Sequence, residues 1–133
     1  MKIKMYSIGY GGKTPEEFIQ RLKEASISMV IDVRWLPYCG WQPTFSKNNI
    51  DNLLKDNGIE YRHEKILGNR SKDIKKFRLG QGVMGKLNDL YKMAKNTGWN
   101  ITLLCAEKNY KNCHRKAFAK WLEQECNVEM VHL

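Results

Sequence analysis

Three reactive side chains follow one another at Cys113-His114-Arg115, shortly after an apolar segment that ends in Cys105-Ala106-Glu107. The pattern predicts a buried strand, a short loop and a helix that opens with a thiol, an imidazole and a guanidinium. A helix N-terminus carries a partial positive charge, so cations there are unfavourable by roughly 0.3–1 kcal/mol each. Two potential cations at such a position indicate a site that meets something negative.

The residue types at this site suit thiol chemistry. A cysteine near a helix N-terminus and beside an imidazole has a lowered pKa and acts as a nucleophile. We therefore predict Cys113 as the nucleophile and His114 as its base or acid, with Asp32 or Glu107 as the carboxylate that orients the imidazole. Cys105 ends an apolar strand and is expected either in this site or as a packed core thiol.

Two arginines and a glycine-rich turn are the candidate anion-binding groups. We expect Arg34 and Arg115 to hold an anion, with the backbone around Gly9 and Gly11 offering further N–H donors. The phosphate-binding P-loop pattern is not met, because it requires glycine where the chain has Ser7.

Structural interpretations compete with the functional ones. Asp32 and Arg34 lie on the same side of a strand, so Asp32 is expected to pair with Arg34 or with Arg115, and either pair alone stabilises the fold. His114 shares a helix face with Phe118 and fits a packed core histidine equally well.

The spacing of the cysteines, His114 and Arg115 fits neither a metal site nor the known cysteine-arginine loops. A zinc site built from Cys105, Cys113 and His114, with Cys39 as a fourth ligand, is disfavoured because neighbouring helical residues diverge by about 100°. We therefore predict no metal ligands, and the sequence does not identify a cofactor. The arginine lies ten residues after Cys105 and two after Cys113, spacings that differ from those of phosphatase and rhodanese loops.

Strand-like and helix-like segments alternate along the whole chain. Strands are predicted at residues 4–8, 29–33, 59–64, 100–106 and 128–132, and Thr14, Ser46 and Asn112 are predicted helix caps. This order predicts one α/β domain over residues 1–133, a Rossmann-like three-layer sandwich with a mainly parallel sheet of about five strands and helices on both faces. In such sheets ligands bind beyond the carboxyl ends of the strands, where all the clusters named above fall.

Composition limits the class of protein. The 133 residues lack an apolar run of about 18 residues, so we expect no membrane span. The four cysteines are not spaced as a disulfide framework, and the N-terminus lacks a signal peptide pattern, so a cytoplasmic protein is predicted.

Residues 62–78 contain seven Lys and Arg but only two Asp and Glu, so more than half of the net charge of +9 lies in this segment. With the aromatic loop of residues 34–45, this segment supports an alternative function as a nucleic-acid-binding module. The candidate nucleic-acid residues are Arg62, Arg70, Lys72, Lys75, Lys76, Arg78, Trp35 and Trp41. The expected partner is thus an anionic small molecule such as a phosphate or nucleotide compound, or else a nucleic acid. A lid or plug packed on the domain is the competing interpretation of the aromatic loop.

An ordered set of short motifs resembles the domain-of-unknown-function 488 family. These motifs are Ser7-Ile8-Gly9-Tyr10, Ile31-Asp32-Val33-Arg34, Phe45-Ser46, Gly58-Ile59-Glu60-Tyr61, Leu67-Gly68, Leu104-Cys105-Ala106-Glu107 and Cys113-His114-Arg115. The resemblance implies a small prokaryotic α/β protein whose marked residues, which would include Pro37 and Gly68, gather at one rim. The chain departs from the family pattern at Tyr10-Gly11 and at Asn69.

Overall fold

The computed structural model describes residues 2–70 and 77–133. Five parallel strands form one sheet in the order β3-β2-β4-β1-β5. The strands are β1 (Ile3–Gly9), β2 (Met29–Asp32), β3 (Glu60–His63), β4 (Ile101–Cys105) and β5 (Val128–His132). The predicted α/β class and the parallel sheet are confirmed.

Within the described residues, four α-helices connect the strands in sequence order. They are α1 (Pro15–Glu24), α2 (Lys47–Asp56), α3 (Gln81–Thr97) and α4 (Arg115–Glu125). Short 3-10 turns at Pro43–Phe45, Lys65–Leu67 and Tyr110–Asn112 lie within the longer loops.

One predicted helix cap is confirmed, one differs in its partner and one is wrong. The Thr14 hydroxyl accepts a hydrogen bond from the Glu17 N–H over 3.1 Å. Ser46 occupies the N-cap position of α2, but its hydroxyl accepts from the Cys39 N–H instead. Asn112 does not cap α4, because it lies in the preceding 3-10 turn. Cys113 is extended, and α4 begins at Arg115.

Each face of the sheet carries its own apolar layer. Helices α3 and α4 cover one face, where Leu87, Leu90, Phe118 and Leu122 pack on strand residues that include Ile31 and Leu103. Helices α1 and α2 cover the other face, where Phe18, Leu22, Ile50 and Leu54 pack on Ile8, Val30 and Leu104. The arrangement is the predicted three-layer sandwich.

The strand order locates a crevice that the sequence alone did not define. Strand β4 lies between β1 and β2. The chain leaves β1 and β2 toward the α1/α2 face and leaves β4 toward the α3/α4 face. Adjacent strands that send their connections to opposite faces open a crevice beyond their carboxyl ends. Gly9, Asp32 and Cys105 are the last residues of these three strands.

Two further sequence predictions concern a membrane span and the basic segment of residues 62–78. None of the helices within residues 2–70 and 77–133 is long and apolar enough to cross a membrane. Three of the candidate nucleic-acid residues, Lys72, Lys75 and Lys76, lie outside the described residues.

Candidate functional site

A cavity of about 380 Å³ lies beyond the carboxyl ends of β1, β2 and β4. Its lining includes five of the residues predicted for catalysis or anion binding, namely Arg34, Cys105, Glu107, Cys113 and His114. Tyr10, Trp35, Leu36, Tyr38, Asn69, Ala106 and Asn112 complete the wall. A larger groove of about 470 Å³ lies between α1 and α2, but its lining residues carry no thiol or imidazole.

The glycine-rich turn after β1 packs directly on the loop after β4. The N–H of Tyr10 donates to the Cys105 carbonyl over 3.1 Å, and that of Gly11 donates to the Ala106 carbonyl over 2.9 Å. A Cβ on Gly9 would lie 1.7 Å from the Glu107 carbonyl oxygen. The structure thus uses these glycines to bring the two loops together, and the N–H of Gly11 is not free to bind an anion as predicted.

Arg115 is held by the protein itself. Its Nε donates to the Cys105 sulfur over 2.9 Å, its Nη1 to the Ser7 hydroxyl over 2.9 Å and its Nη2 to the Glu107 carbonyl over 2.7 Å. The side chain is 1 % exposed. The predicted role of Arg115 in holding an anionic ligand is therefore not supported, because each of its three nitrogens already has a partner within the protein.

The charge of Arg115 needs a counter-charge. Within the described part of the chain, no carboxylate lies within 4.0 Å of its guanidinium. Burying an unpaired cation is costly. Arg115 contacts the sulfur of Cys105, and Cys105 and Cys113 both line the cavity, so the pair of thiols is the nearest group among the described residues that can carry the negative charge.

The two thiols have different surroundings. The hydrogen bond from the Cys105 thiol lowers the pKa of Cys113 below its ordinary value, and His114 and the Arg115 backbone N–H act in the same direction against the effect of burial. Burial raises the pKa of Cys105, and the adjacent Cys113 raises it further. Within this pair ionisation is favoured at Cys113 and disfavoured at Cys105.

His114 is oriented by the backbone and not by a carboxylate. Its Nε2 lies 2.9 Å from the Val33 carbonyl oxygen, and because a carbonyl only accepts, Nε2 carries the proton. Its Nδ1 lies 3.5 Å from the Cys113 sulfur. The prediction that Asp32 or Glu107 orients the imidazole is wrong on this geometry. The ring also packs edge-on against Phe118, as the structural interpretation expected.

Asp32 instead holds Arg34. The carboxylate accepts from Arg34 Nε over 2.9 Å and Nη2 over 2.7 Å, and from the Tyr61 hydroxyl over 2.6 Å. Of the two ion pairs that the sequence left open, Asp32–Arg34 forms. Burial lowers the pKa of Arg34, but the bonds to Asp32 outweigh it and raise the pKa above its ordinary value. The Nη1 atom of Arg34 has no hydrogen-bond partner among the described residues.

A second hydrogen-bonded chain leads from Arg115 through β1 to the edge strand β5. The Ser7 hydroxyl, which accepts from Arg115, has its own proton left to donate to His132 Nδ1. The His132 ring stacks on Tyr110 with 3.5 Å between the ring centres. Sequence reasoning missed this chain, although a serine inside the apolar strand at Ser7 was a signal for it.

No set of three metal-ligating side chains occurs in the ranges 2–70 and 77–133. Cys113 and His114 face each other instead, since Sγ and Nδ1 are in contact and Nε2 is bonded to the backbone. The side chains of the zinc alternative are thus directed toward each other and toward the protein.

The aromatic loop divides into a buried and an exposed part. Phe45 is fully buried and stacks on Tyr10 with 4.6 Å between ring centres, so this part packs on the domain. Trp41 is 97 % exposed and Tyr38 is 75 % exposed. The predicted lid thus holds for Phe45, while Trp41 and Tyr38 present free aromatic surface.

Two basic residues, Lys65 and Arg70, lie near Trp35 at one end of this loop. Lys65 Nζ lies 4.5 Å from the centre of the Trp35 ring, and the Arg70 guanidinium lies 5.9 Å from it. The face of Trp35 is thus in contact with cations. Arg62 and Arg78 are exposed.

Fold and site together define a parallel α/β protein with two thiols, an imidazole and a buried guanidinium at the carboxyl edge of its sheet. The family model described as "Domain of unknown function DUF488" matches residues 14–122. The chain belongs to this family, as its resemblance indicated. No curated protein matches the chain in sequence.

Proposed function

We propose that the cavity binds and acts on an anionic small molecule through the thiolate of Cys113. The observation that carries this proposal is the buried Arg115, whose Nε contacts the Cys105 sulfur and which has no carboxylate partner among the described residues. If the thiol pair shares one proton, its negative charge balances Arg115. The resulting thiolate is the nucleophile.

His114 serves as the proton carrier of the reaction. Its Nδ1 faces the Cys113 sulfur and accepts the thiol proton, while the Val33 carbonyl keeps the ring in place. The same nitrogen later returns the proton to the leaving group. Asp32 acts indirectly: it positions the guanidinium of Arg34 and does not face the reacting sulfur.

Arg34 is the group that would recognise the anion. It lines the cavity, and its Nη1 has no hydrogen-bond partner in the described ranges. The ion pair with Asp32 holds the guanidinium plane while leaving this nitrogen for a ligand. A guanidinium suits carboxylate and phosphate oxygens, because its N–H groups are planar and permanently charged.

Two alkylating reagents of similar size separate the thiolate from the anion site. Iodoacetamide is neutral and iodoacetate is an anion, and peptide mass spectrometry resolves the rate at each cysteine. We expect Cys113 to react with both reagents well below the ordinary thiol pKa of about 8.5. We also expect Cys113 to favour iodoacetate more strongly than Cys126 does in the same sample.

Two variants assign these effects. His114→Asn should slow alkylation of Cys113 near neutral pH, because the thiolate loses its neighbour, and Arg34→Met should lower the iodoacetate preference alone. A Cys113 that alkylates with an ordinary thiol profile in the folded protein overturns the nucleophile. An unchanged iodoacetate preference in Arg34→Met overturns the anion site.

The four cysteines are all free thiols. Reduced thiols persist in the cytosol and are oxidised in secreted proteins, which supports a cytoplasmic location for a protein that uses Cys113 in this way.

A nucleic-acid-binding role is the second candidate. It is favoured by the exposed rings of Trp41 and Tyr38. These rings lie on the same loop as Trp35, whose ring is in contact with Lys65 and Arg70. Exposed aromatic rings stack on unpaired bases, and nearby cations follow the phosphates. This role predicts binding of single strands.

A fluorescent thymidine oligonucleotide tests this role directly. Binding should weaken steeply as salt increases, and Trp41→Ala should reduce affinity at every salt concentration. Trp99→Ala provides the matched control. Trp99 is partly exposed and precedes β4, so it lies at the amino-terminal ends of the strands, away from the cavity. Equal effects of the two substitutions, or no binding at low salt, would exclude this candidate.

A further inference from the structure

A second thiol lies in contact with the proposed nucleophile. Cys105 and Cys113 line the same cavity, belong to the same buried cluster, and are both free. A thiol in this position can attack a disulfide that forms on its neighbour, because thiol–disulfide exchange proceeds by attack of a nearby thiolate on a disulfide sulfur. The pair is therefore suited to two-electron chemistry in which both sulfurs take part.

We propose that Cys105 and Cys113 form a dithiol couple that reduces a small disulfide, with Cys113 as the attacking sulfur and Cys105 as the resolving sulfur. This inference rests on the proposed nucleophile and names the class of bond that it breaks. The substrate is a disulfide of a small thiol that enters the cavity and carries a negative charge.

The reaction takes place in two balanced steps. The Cys113 thiolate attacks one sulfur of the substrate, a bond forms between Cys113 and that sulfur, and the other half leaves as a thiolate. Cys105 then loses its proton and attacks Cys113, which forms the Cys105–Cys113 disulfide and expels the second half as a thiolate. Two electrons pass from the dithiol to the substrate, and the two protons of the protein thiols end on the two products.

Arg115 and His114 assist different steps. Arg115 Nε already donates to the Cys105 sulfur over 2.9 Å, so it stabilises the negative charge that develops when Cys105 is deprotonated for the second step. His114 Nδ1 faces the Cys113 sulfur and is placed to give a proton to the departing thiolate in the first step. Each sulfur thus has its own charged or proton-carrying partner.

The other two cysteines lie elsewhere. Cys126 follows the last residue of α4, at the opposite end of the helix from Cys113. Burial and the Glu125 carboxylate raise the pKa of Cys126, which disfavours attack. Cys39 is part of the aromatic loop, and hydrogen bonds from Tyr10 and from the Gln42 and Trp41 backbone lower its pKa against the effect of burial. Cys126 is therefore the internal control in the same chain.

Oxidised glutathione, an anionic disulfide, is the probe. The reduced protein is mixed with it, quenched at low pH at successive times, and mapped by peptide mass spectrometry. We expect Cys105 and Cys113 to disappear together, with an internal Cys105–Cys113 disulfide as the product and Cys126 still reduced. The wild-type result needs no variant, so it does not depend on whether a variant folds.

Conservative variants assign the two roles. Cys105→Ser should accumulate a lasting mixed disulfide with glutathione on Cys113, Cys113→Ser should form no internal disulfide, and Cys126→Ser should behave as wild type. A mixed disulfide that persists on Cys113 in the wild-type protein would overturn the resolving role while leaving the nucleophile intact. Oxidation confined to Cys39 or Cys126 would overturn the inference. A Cys113 that neither alkylates as a thiolate nor reacts with glutathione would contradict both proposals.

Discussion

The Nε atom of Arg115 lies 2.9 Å from the sulfur of Cys105, and this contact connects the fold to the proposed chemistry. The arginine stands at the first position of α4, where the helix dipole disfavours a cation. Its burial among Cys105, Ser7 and the Glu107 carbonyl gives it partners that offset that cost. The guanidinium consequently ties the ends of β1 and β4 to the start of α4.

Removal of the Arg115 side chain should destabilise the fold. Arg115→Ala leaves a buried hydroxyl, a carbonyl and a sulfur without their donor, so the free energy of unfolding should fall by about 3 kcal/mol or more. Urea unfolding measures it, with Lys116→Ala on the exposed side of the same helix as the control. The control should change stability by less than about 0.5 kcal/mol. Equal stability of the two variants would mean that Arg115 does not hold the three elements together.

Gly9 should not tolerate a side chain. Gly9→Ala places a methyl group 1.7 Å from the Glu107 carbonyl oxygen, so the two loops must move apart. We expect a loss of roughly 1–3 kcal/mol or more in urea unfolding. Gly85→Ala is the matched control, because Gly85 lies within α3 and no described atom is within 4 Å of its Cβ position. That change should stabilise by roughly 0.5–1 kcal/mol.

Asp32→Asn tests the buried ion pair. The substitution removes the charge that faces Arg34 and leaves a buried guanidinium without compensation. The free energy of unfolding should fall by roughly 3–5 kcal/mol. Asp51→Asn, which removes the surface pair with Lys55, should cost only about 0.3–0.5 kcal/mol. A small effect at Asp32 would contradict its role in positioning Arg34.

His132 should make stability depend on pH. Burial lowers the pKa of His132 in the folded protein, and the Arg115 charge lowers it further against the weaker effect of Glu123. The unfolded chain has the ordinary histidine pKa of about 6.5, so below that pH it binds more protons than the folded protein. Stability is therefore present above about pH 6.5 and decreases as the pH falls toward the folded pKa.

The substitution His132→Gln isolates this effect from the other histidines. Urea unfolding at pH 7.5 and at pH 5.5 should give a smaller difference for the variant than for the wild-type protein. Identical pH dependence in the two proteins would show that His132 is not the group responsible.

The residues of the site were predictable, while most of their roles were not. Periodicity placed Cys105 at the end of a strand and Cys113 before a helix, and because parallel strands share one carboxyl edge, their convergence followed. The partner of His114 could not be predicted, since the Val33 carbonyl is a backbone atom that no residue type reveals. The contact of Tyr61 with Asp32 depends on the pairing of β2 with β3, which the sequence does not specify.

Arg115 illustrates the same limit. The dipole argument predicted that a cation at this helix end meets something negative, and the sequence could not distinguish a ligand from partners within the protein such as the Cys105 sulfur. The burial of the Arg115 side chain favours the partners within the protein. That burial depends on the pairing of β1 with β4, which brings Ser7 and Cys105 together and which the sequence does not specify.

The charge of the cysteine pair is the most direct test of the central claim. Ultraviolet absorbance of the thiolate, followed while the folded protein is titrated from acid to alkaline pH, reports the charge without any reagent. We expect one thiolate to form well below the ordinary thiol pKa of about 8.5, and this early step should be absent in Cys113→Ser and retained in Cys126→Ser. If every thiol instead ionises near or above that value, the pair is neutral, Arg115 is not balanced by sulfur, and Cys113 is not the nucleophile.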